Sequence, residues 1–226
     1  MKQAREKKTP AVEEQVTVPK REVVQIPPPN IGIAEFLIEG IAPYVQHKFS
    51  DKARKQIQAT QEAGQQAKKG AKRTPRNFEE DYHAAMYLSD KGWNGIPATS
   101  FRAAMISACR LVGFKMTIAK MTLFVEADGF DGSTPLVRFI EGKPEPTGPM
   151  PARNDNGSID LRNRPMWREG WKAKVRIRYD RDQFSLVDVS NLLARAGQQV
   201  GIGEGRPDSK ESAGMGWGIF KIANGN

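Results

Sequence analysis

The chain has 226 residues, 38% hydrophobic and 27% charged, which allows one domain with a real core but excludes an all-core globule without solvated extensions. Its single cysteine, Cys109, excludes an intramolecular disulfide, and no run approaches the ~20 apolar residues of a membrane helix. A net charge of +9 and a pI of about 9.7 favour polyanionic partners, of which nucleic acid is the commonest.

The N-terminus, MKQAREKKTPAVEEQ, lacks the apolar segment of a secretory signal, so a cytoplasmic protein is expected. Residues 1–30 read as a flexible, disordered arm closed by Ile26-Pro27-Pro28-Pro29-Asn30, where the prolines exclude helix and favour an extended lead-in. From Ile31 to Phe49 the chain is rich in strand formers, and Gly40 and Pro43 predict a bent or bulged first strand.

A basic loop over 51–76 follows. It carries Lys52, Arg54, Lys55, Lys68, Lys69, Lys72, Arg73 and Arg76 against Asp51 and Glu62, with five glutamines and few large apolar groups. Such a segment buries too little surface to fold alone, and an arm that orders on a phosphate backbone is the favoured reading.

Phe78 to Leu88 predicts a short helix, and 90–95 a turn. The clearest helix spans 99–112: Thr99 and Ser100 suit a cap, Phe101, Ala104, Met105, Ala108, Leu111 and Val112 repeat at helical spacing, and Gly113 ends it. Cys109 reads as a buried small side chain of this helix. Strands are expected at 121–126 and 136–140, then an insertion over 141–170 that is rich in Pro and Gly.

In Trp171-Lys172-Ala173-Lys174-Val175-Arg176-Ile177-Arg178-Tyr179 apolar and basic residues alternate, the signature of a half-buried strand with one cationic face. Four like charges on one face repel one another, which makes an anionic partner the simplest compensation; a charged edge strand is the alternative. A helix is expected from Val189 or Ser190 to Ala196, and a last strand over 218–222 after a glycine-rich segment. Without insertions the order is strand, helix, two strands, helix, strand, an α+β, ferredoxin-like (RRM-like) βαββαβ core within one domain over 31–222.

Two segments carry a family resemblance. Gly95-Ile96-Pro97-Ala98-Thr99-Ser100-Phe101-Arg102-Ala103-Ala104-Met105 resembles the IPGSSLKGALR helix entry of RAMP-superfamily CRISPR proteins, with Ala98 and Ala103 standing where glycine is usual. Val200-Gly201-Ile202-Gly203-Glu204-Gly205-Arg206-Pro207 and Gly214-Met215-Gly216-Trp217-Gly218-Ile219-Phe220-Lys221-Ile222 resemble the glycine-rich loop and final strand of that superfamily's Cas-seven-like backbone subunits. The resemblance implies an RNA-binding backbone subunit of an antiviral effector complex, self-associating or joined to other subunits, or a phage or mobile-element relative. Its catalytic members cut RNA with a loop aspartate, to which Asp51 corresponds by element order; a lone carboxylate among cations reads first as an ion-pair partner, so no catalytic residue is assigned.

The expected ligand is single-stranded RNA, with DNA as the alternative, held by its phosphates. The expected contacts are Lys52, Arg54, Lys55, Lys68, Lys69, Lys72, Arg73, the helix-entry Arg102, strand residues Lys172, Lys174, Arg176 and Arg178, and Gly201, Gly203, Gly205 and Arg206, where missing side chains would let backbone approach a sugar-phosphate chain. Lys210 adds charge to that loop, and Trp167, Trp171 and Trp217 are candidate stacking groups. Only His47 and His83 are present, with no set at metal-ligand spacing, so no cofactor or metal is expected. The rival reading is a phage or mobile-element assembly protein whose basic arms capture an acidic protein.

Overall fold

The structure, a computed structural model, describes residues 25–48, 76–153, 159–209 and 214–223. Residues 1–24 of the expected arm over 1–30, residues 51–75 of the basic loop over 51–76, and Lys210 lie outside the described residues.

The fold is mixed α+β, built on an antiparallel sheet. Its strands are β1 (Ile31–Gly40), β2 (Tyr44–Val45), β3 (Gly95–Pro97), β4 (Leu123–Val125), β5 (Gly129–Asp131), β6 (Thr134–Glu141), β7 (Pro144–Pro146), β8 (Met150–Arg153), β9 (Ile159–Arg162), β10 (Pro165–Trp167), β11 (Lys172–Asp180) and β12 (Phe220–Ile222). The helices are α1 (Phe78–Ala84), α2 (Ala98–Ala108), α3 (Met116–Thr122) and α4 (Leu186–Arg195). None is long and apolar enough to cross a membrane among the described residues.

The main sheet runs β12-β1-β11-β6-β3, with β4 extending along β11 and β5 along β6. β1 and β11 form its centre, in register from Ile31 opposite Asp180 to Glu39 opposite Lys172. The alternation of β11 is realised as expected: Ala173, Val175, Ile177 and Tyr179 are buried, and the basic residues face the other way. Helices α2 and α4 cover the apolar side, where Phe101, Met105, Val189, Leu192 and Leu193 join Val175 and Ile177 in one core. Burying a Val or Ile side chain contributes about 1.5–3 kcal/mol, so this two-period face is a principal source of stability.

Trp167 and Trp171 are fully buried, which removes them as stacking groups. They join Tyr44, Phe139 and Phe220 in an aromatic cluster, Trp167 stacked on Phe139 at 4.5 Å. Trp171 donates from Nε1 to the Ala42 carbonyl at 3.0 Å, beside Gly40, where a Cβ would lie 2.0 Å from that nitrogen. The bend expected at Gly40 and Pro43 is therefore where the chain yields to the indole. Trp217 is half-buried against Gly205.

Several boundaries differ from the sequence expectation. Thr99 and Ser100 lie inside α2, whose N-cap is Pro97 with no side-chain cap bond, because β3 runs straight into the helix. After Ala108 the chain tightens into a 3-10 turn, Cys109–Val112, that ends at Gly113 with φ 68°. The expected strand at 121–126 begins with the last turn of α3 and is extended only over Leu123–Val125. α4 starts earlier than expected, because Ser185 and Asp188 close a capping box. Gly197 does not stop it; Ala196–Val200 continue as a π turn in which a Cβ on Gly197 would meet the Phe220 carbonyl at 2.3 Å. The insertion over 141–170 supplies β7 and β10, which join β2 in a small sheet of order β2-β10-β7, and the pair β8-β9.

Candidate nucleic-acid interface

Helices α2 and α4 pack on the apolar face of the main sheet, and the outward face holds the four basic residues of β11. Every one of them meets a carboxylate of a neighbouring strand or of the β4–β5 connection. Lys172 pairs with Glu141 at 3.0 Å, Lys174 with Glu35 at 3.0 Å, Arg176 with Asp128 at 2.9 Å and Arg178 with Glu126 at 3.6 Å. Arg176 also donates to the Ala127 carbonyl, and Lys221 on β12 extends the row to Glu39. The expectation that these charges call for an outside anion is corrected: the sheet neutralises them itself. Half-exposed pairs of this kind contribute about 0–1 kcal/mol each, so their main effect is on surface potential.

Arg102 is likewise engaged within the fold. Its Nε donates to the Leu123 carbonyl at 2.8 Å and its Nη2 to the Lys120 carbonyl, tying α2 to the α3–β4 junction. Its guanidinium and that of Arg178 each lie 4.9 Å from the centre of the Phe124 ring, a side chain 37% exposed at the sheet margin. That assembly of one aromatic face and two cations is the nearest approach to a stacking platform on the described surface.

The glycine-rich segment is packed against its own chain. Gly201, Gly203 and Gly205 have φ of 72°, 79° and 73°. A Cβ on Gly203 would meet the Val45 carbonyl at 2.5 Å, and one on Gly218 the Ile202 carbonyl at 1.7 Å. These glycines are explained by left-handed backbone and close internal contact, without a sugar-phosphate chain. Arg206 donates to the Gly203 carbonyl at 3.0 Å, and Asp208 links the segment to Ser107 of α2 and to Arg110 of the 3-10 turn that follows it.

What remains strongly cationic is the sequence between Lys48 and Arg76. Residues 51–76 hold eight basic and two acidic side chains, six of the chain's nine net positive charges. The entry is fixed by Lys48, which pairs with Asp131 at 2.5 Å and whose N–H donates to the Ala85 carbonyl. The exit is fixed by Arg76, paired with Asp81 and Asp160; that guanidinium holds the Asp160 carboxyl below its usual range. Asn77 then caps α1 by accepting from the Glu79 and Glu80 N–H groups.

Beside the entry, His47 keeps an exposed face, yet the protein packed around it, with Arg164 and Arg162, pushes its imidazole down to about 4, so it is neutral at pH 7. Arg164 is nearly buried and pairs with Glu204 at 2.9 Å, while Glu204 also donates its N–H to the Val45 carbonyl. β2, β9 and the 201–208 segment thus come together beside Lys48, where the described chain leads into the basic segment.

Sequence reasoning missed the carboxylates Glu35, Glu126, Asp128 and Glu141, and the His47, Arg162, Arg164 cluster. A signal existed for Glu35 and Glu39, which share the outward parity of β1, but register decides that Glu35 lies opposite Arg176 and reaches Lys174 diagonally, and that Glu39 lies opposite Lys172. Among the described residues no group of three or more His, Cys, Asp or Glu is placed to hold a metal. Compared with known proteins, the chain matches no family model and no curated protein.

Proposed function

We propose that this protein binds single-stranded nucleic acid, RNA ahead of DNA, through its phosphate backbone, with the basic segment 51–76 as the principal contact and the base around His47, Arg162 and Arg164 as its seat. The observation that carries the reading is the separation of charge. The outward sheet face is neutralised by its own ion pairs, whereas most of the net positive charge sits in one segment pinned at Lys48 and Arg76. Phosphates attract such a segment without regard to base sequence.

The architecture is compatible with a ferredoxin-like RAMP domain of the Cas-seven-like kind. Taking β1, β6, β11 and β12 as the four core strands, the sheet order β12-β1-β11-β6 is the fourth-first-third-second arrangement of a split βαβ fold, with α2 and α4 as the two crossovers. The resemblance at 95–105 and 200–222 supports placing it among effector-complex subunits or their phage and mobile-element relatives.

A second reading is an assembly protein whose basic segment docks on an acidic protein; the self-neutralised sheet face favours it, since nucleic-acid binding would gain from leaving those cations free. Purification followed by absorbance ratios before and after nuclease separates the two. Bound nucleic acid that is lost when Lys52, Arg54, Lys55, Lys68, Lys69, Lys72 and Arg73 are all changed to Gln supports the first. Protein free of nucleic acid that does not shift a labelled single strand, but is retained by poly-glutamate, supports the second.

A further inference from the structure

Among the described residues, the long edge of β1 is unpaired from Ile31 to Glu35. Alternate residues of an antiparallel strand direct their backbone groups to opposite sides. Gly40 donates its N–H to the Trp171 carbonyl on the β11 side, while the Leu37 carbonyl accepts from Ala223 and the Ile41 N–H donates to Ile219 on the β12 side. The odd residues of β1 therefore face β12. That strand pairs only with Ile38 to Gly40, so the N–H and C=O groups of Ile31, Ile33 and Glu35 have no partner among the described residues. The side chains of Ile31 and Ile33 are 48% and 61% exposed on the outward face. An edge of this length, without an inward charge or bulge, is the arrangement that natural sheets normally avoid.

We propose that this edge pairs with the same edge of a second copy, antiparallel about a two-fold axis at Ile33. The extent of the open run sets the register, since Ile31, Ile33 and Glu35 are symmetric about Ile33 and a second copy of the same edge matches them. With Ile33 opposite itself, Ile31 lies opposite Glu35 of the second copy. Ile33, Ile31 and Glu35 each bring one free donor and one free acceptor to these pairs, so the three central pairs close completely. The pairing ends there, because the place opposite Leu37 is held by Ala223 of the same chain, whose N–H bonds the Leu37 carbonyl, so Pro29 takes no part. The edge thus complements itself over Ile31, Ile33 and Glu35.

Side chains agree with that register. Between the hydrogen-bonded pairs, where Cα atoms approach most closely, Gly32 faces Ala34 of the second copy, so no bulk obstructs the approach. On the outward face, Ile33 meets Ile33 and both become covered. The pairing is isologous and closes at two copies. It is distinct from side-by-side addition along a nucleic acid, and it uses no residue of the 51–76 segment.

The test uses the full-length, nuclease-treated protein. Sedimentation should give a dimer, and Ile33→Lys, which sets two like charges against each other at the axis, should weaken dimerisation at least tenfold with an unchanged circular dichroism spectrum. In the proposed register the two Ile33 Cα atoms lie about 5.5 Å apart, within disulfide range, and the two Glu35 Cα atoms about 14 Å apart. Mild oxidation should therefore cross-link Ile33→Cys and leave Glu35→Cys uncross-linked; buried Cys109 takes no part. A monomer up to millimolar concentration, a dimer indifferent to Ile33→Lys, or cross-linking at position 35 in place of 33 would overturn the proposal.

Discussion

Gly40 and Gly218 show how single residues decide this fold. A methyl group at Gly40 would collide with the Trp171 indole, and one at Gly218 with the Ile202 carbonyl. Neither clash can be relieved by a flexible side chain. Gly40→Ala is expected to destabilise by about 3 kcal/mol, the upper range for overpacking, and to break the Trp171 bond to Ala42. Urea unfolding followed by tryptophan fluorescence would measure both, and a loss below 1 kcal/mol would count against the packing described. His47 supplies a pH dependence. Its folded midpoint of about 4 lies below the ordinary 6.5, so the unfolded chain takes up this proton first. The contribution is complete above pH 6.5 and is lost as pH falls through that value towards 4. NMR titration of the His47 ring should find it neutral at pH 6; a midpoint at or above 6.5 would contradict the arrangement with Arg164 and Arg162. At this scale the sequence was a partial guide: it marked the glycines and the histidine but not what stands next to them.

Among the elements, β11 was the most legible, since alternation over nine residues has only one strand reading. α2 was legible in position because its apolar residues recur at helical spacing, but not in its start, because Pro97 carries β3 directly into the first turn. α4 was placed too late although its signal was present: Ser185 and Asp188 stand three apart immediately before the apolar residues Leu186, Val189, Leu192 and Leu193. Ser185→Ala should cost about 1 kcal/mol of stability by thermal or urea unfolding, and no measurable loss would deny the capping box. The short strands β7 to β10 were not legible, since pieces of three or four residues rich in Pro carry no period. The ion pairs of β11 were hidden for another reason. Alternation states which face a lysine occupies, but its counter-ion depends on the strand alongside, and Glu35 reaches Lys174 only because β1 and β11 are held in the register of Ile31 against Asp180.

For the whole molecule, the distribution of charge matters more than its sum. A net +9 on a uniformly basic surface would give broad, weak attraction, whereas a self-neutralised sheet face, with most of the excess charge concentrated in one segment of sequence, favours a localised one. Of the two basic clusters in the sequence, the segment 51–76 is therefore expected to contribute most to binding and the β11 face less. The most direct test is the slope of log affinity against log salt for a homopolymeric single strand, measured for the native chain and two variants. Each phosphate contact contributes about −0.7 to that slope, so changing Lys52, Arg54, Lys55, Lys68, Lys69, Lys72 and Arg73 to Gln should flatten it by roughly three units or more. Changing Lys174 and Arg176 to Ala, which removes cations already paired with Glu35 and Asp128, should flatten it by less than about one unit. Binding whose affinity and salt slope survive the sevenfold change, or which is abolished by the β11 pair alone in a folded protein, would contradict the account.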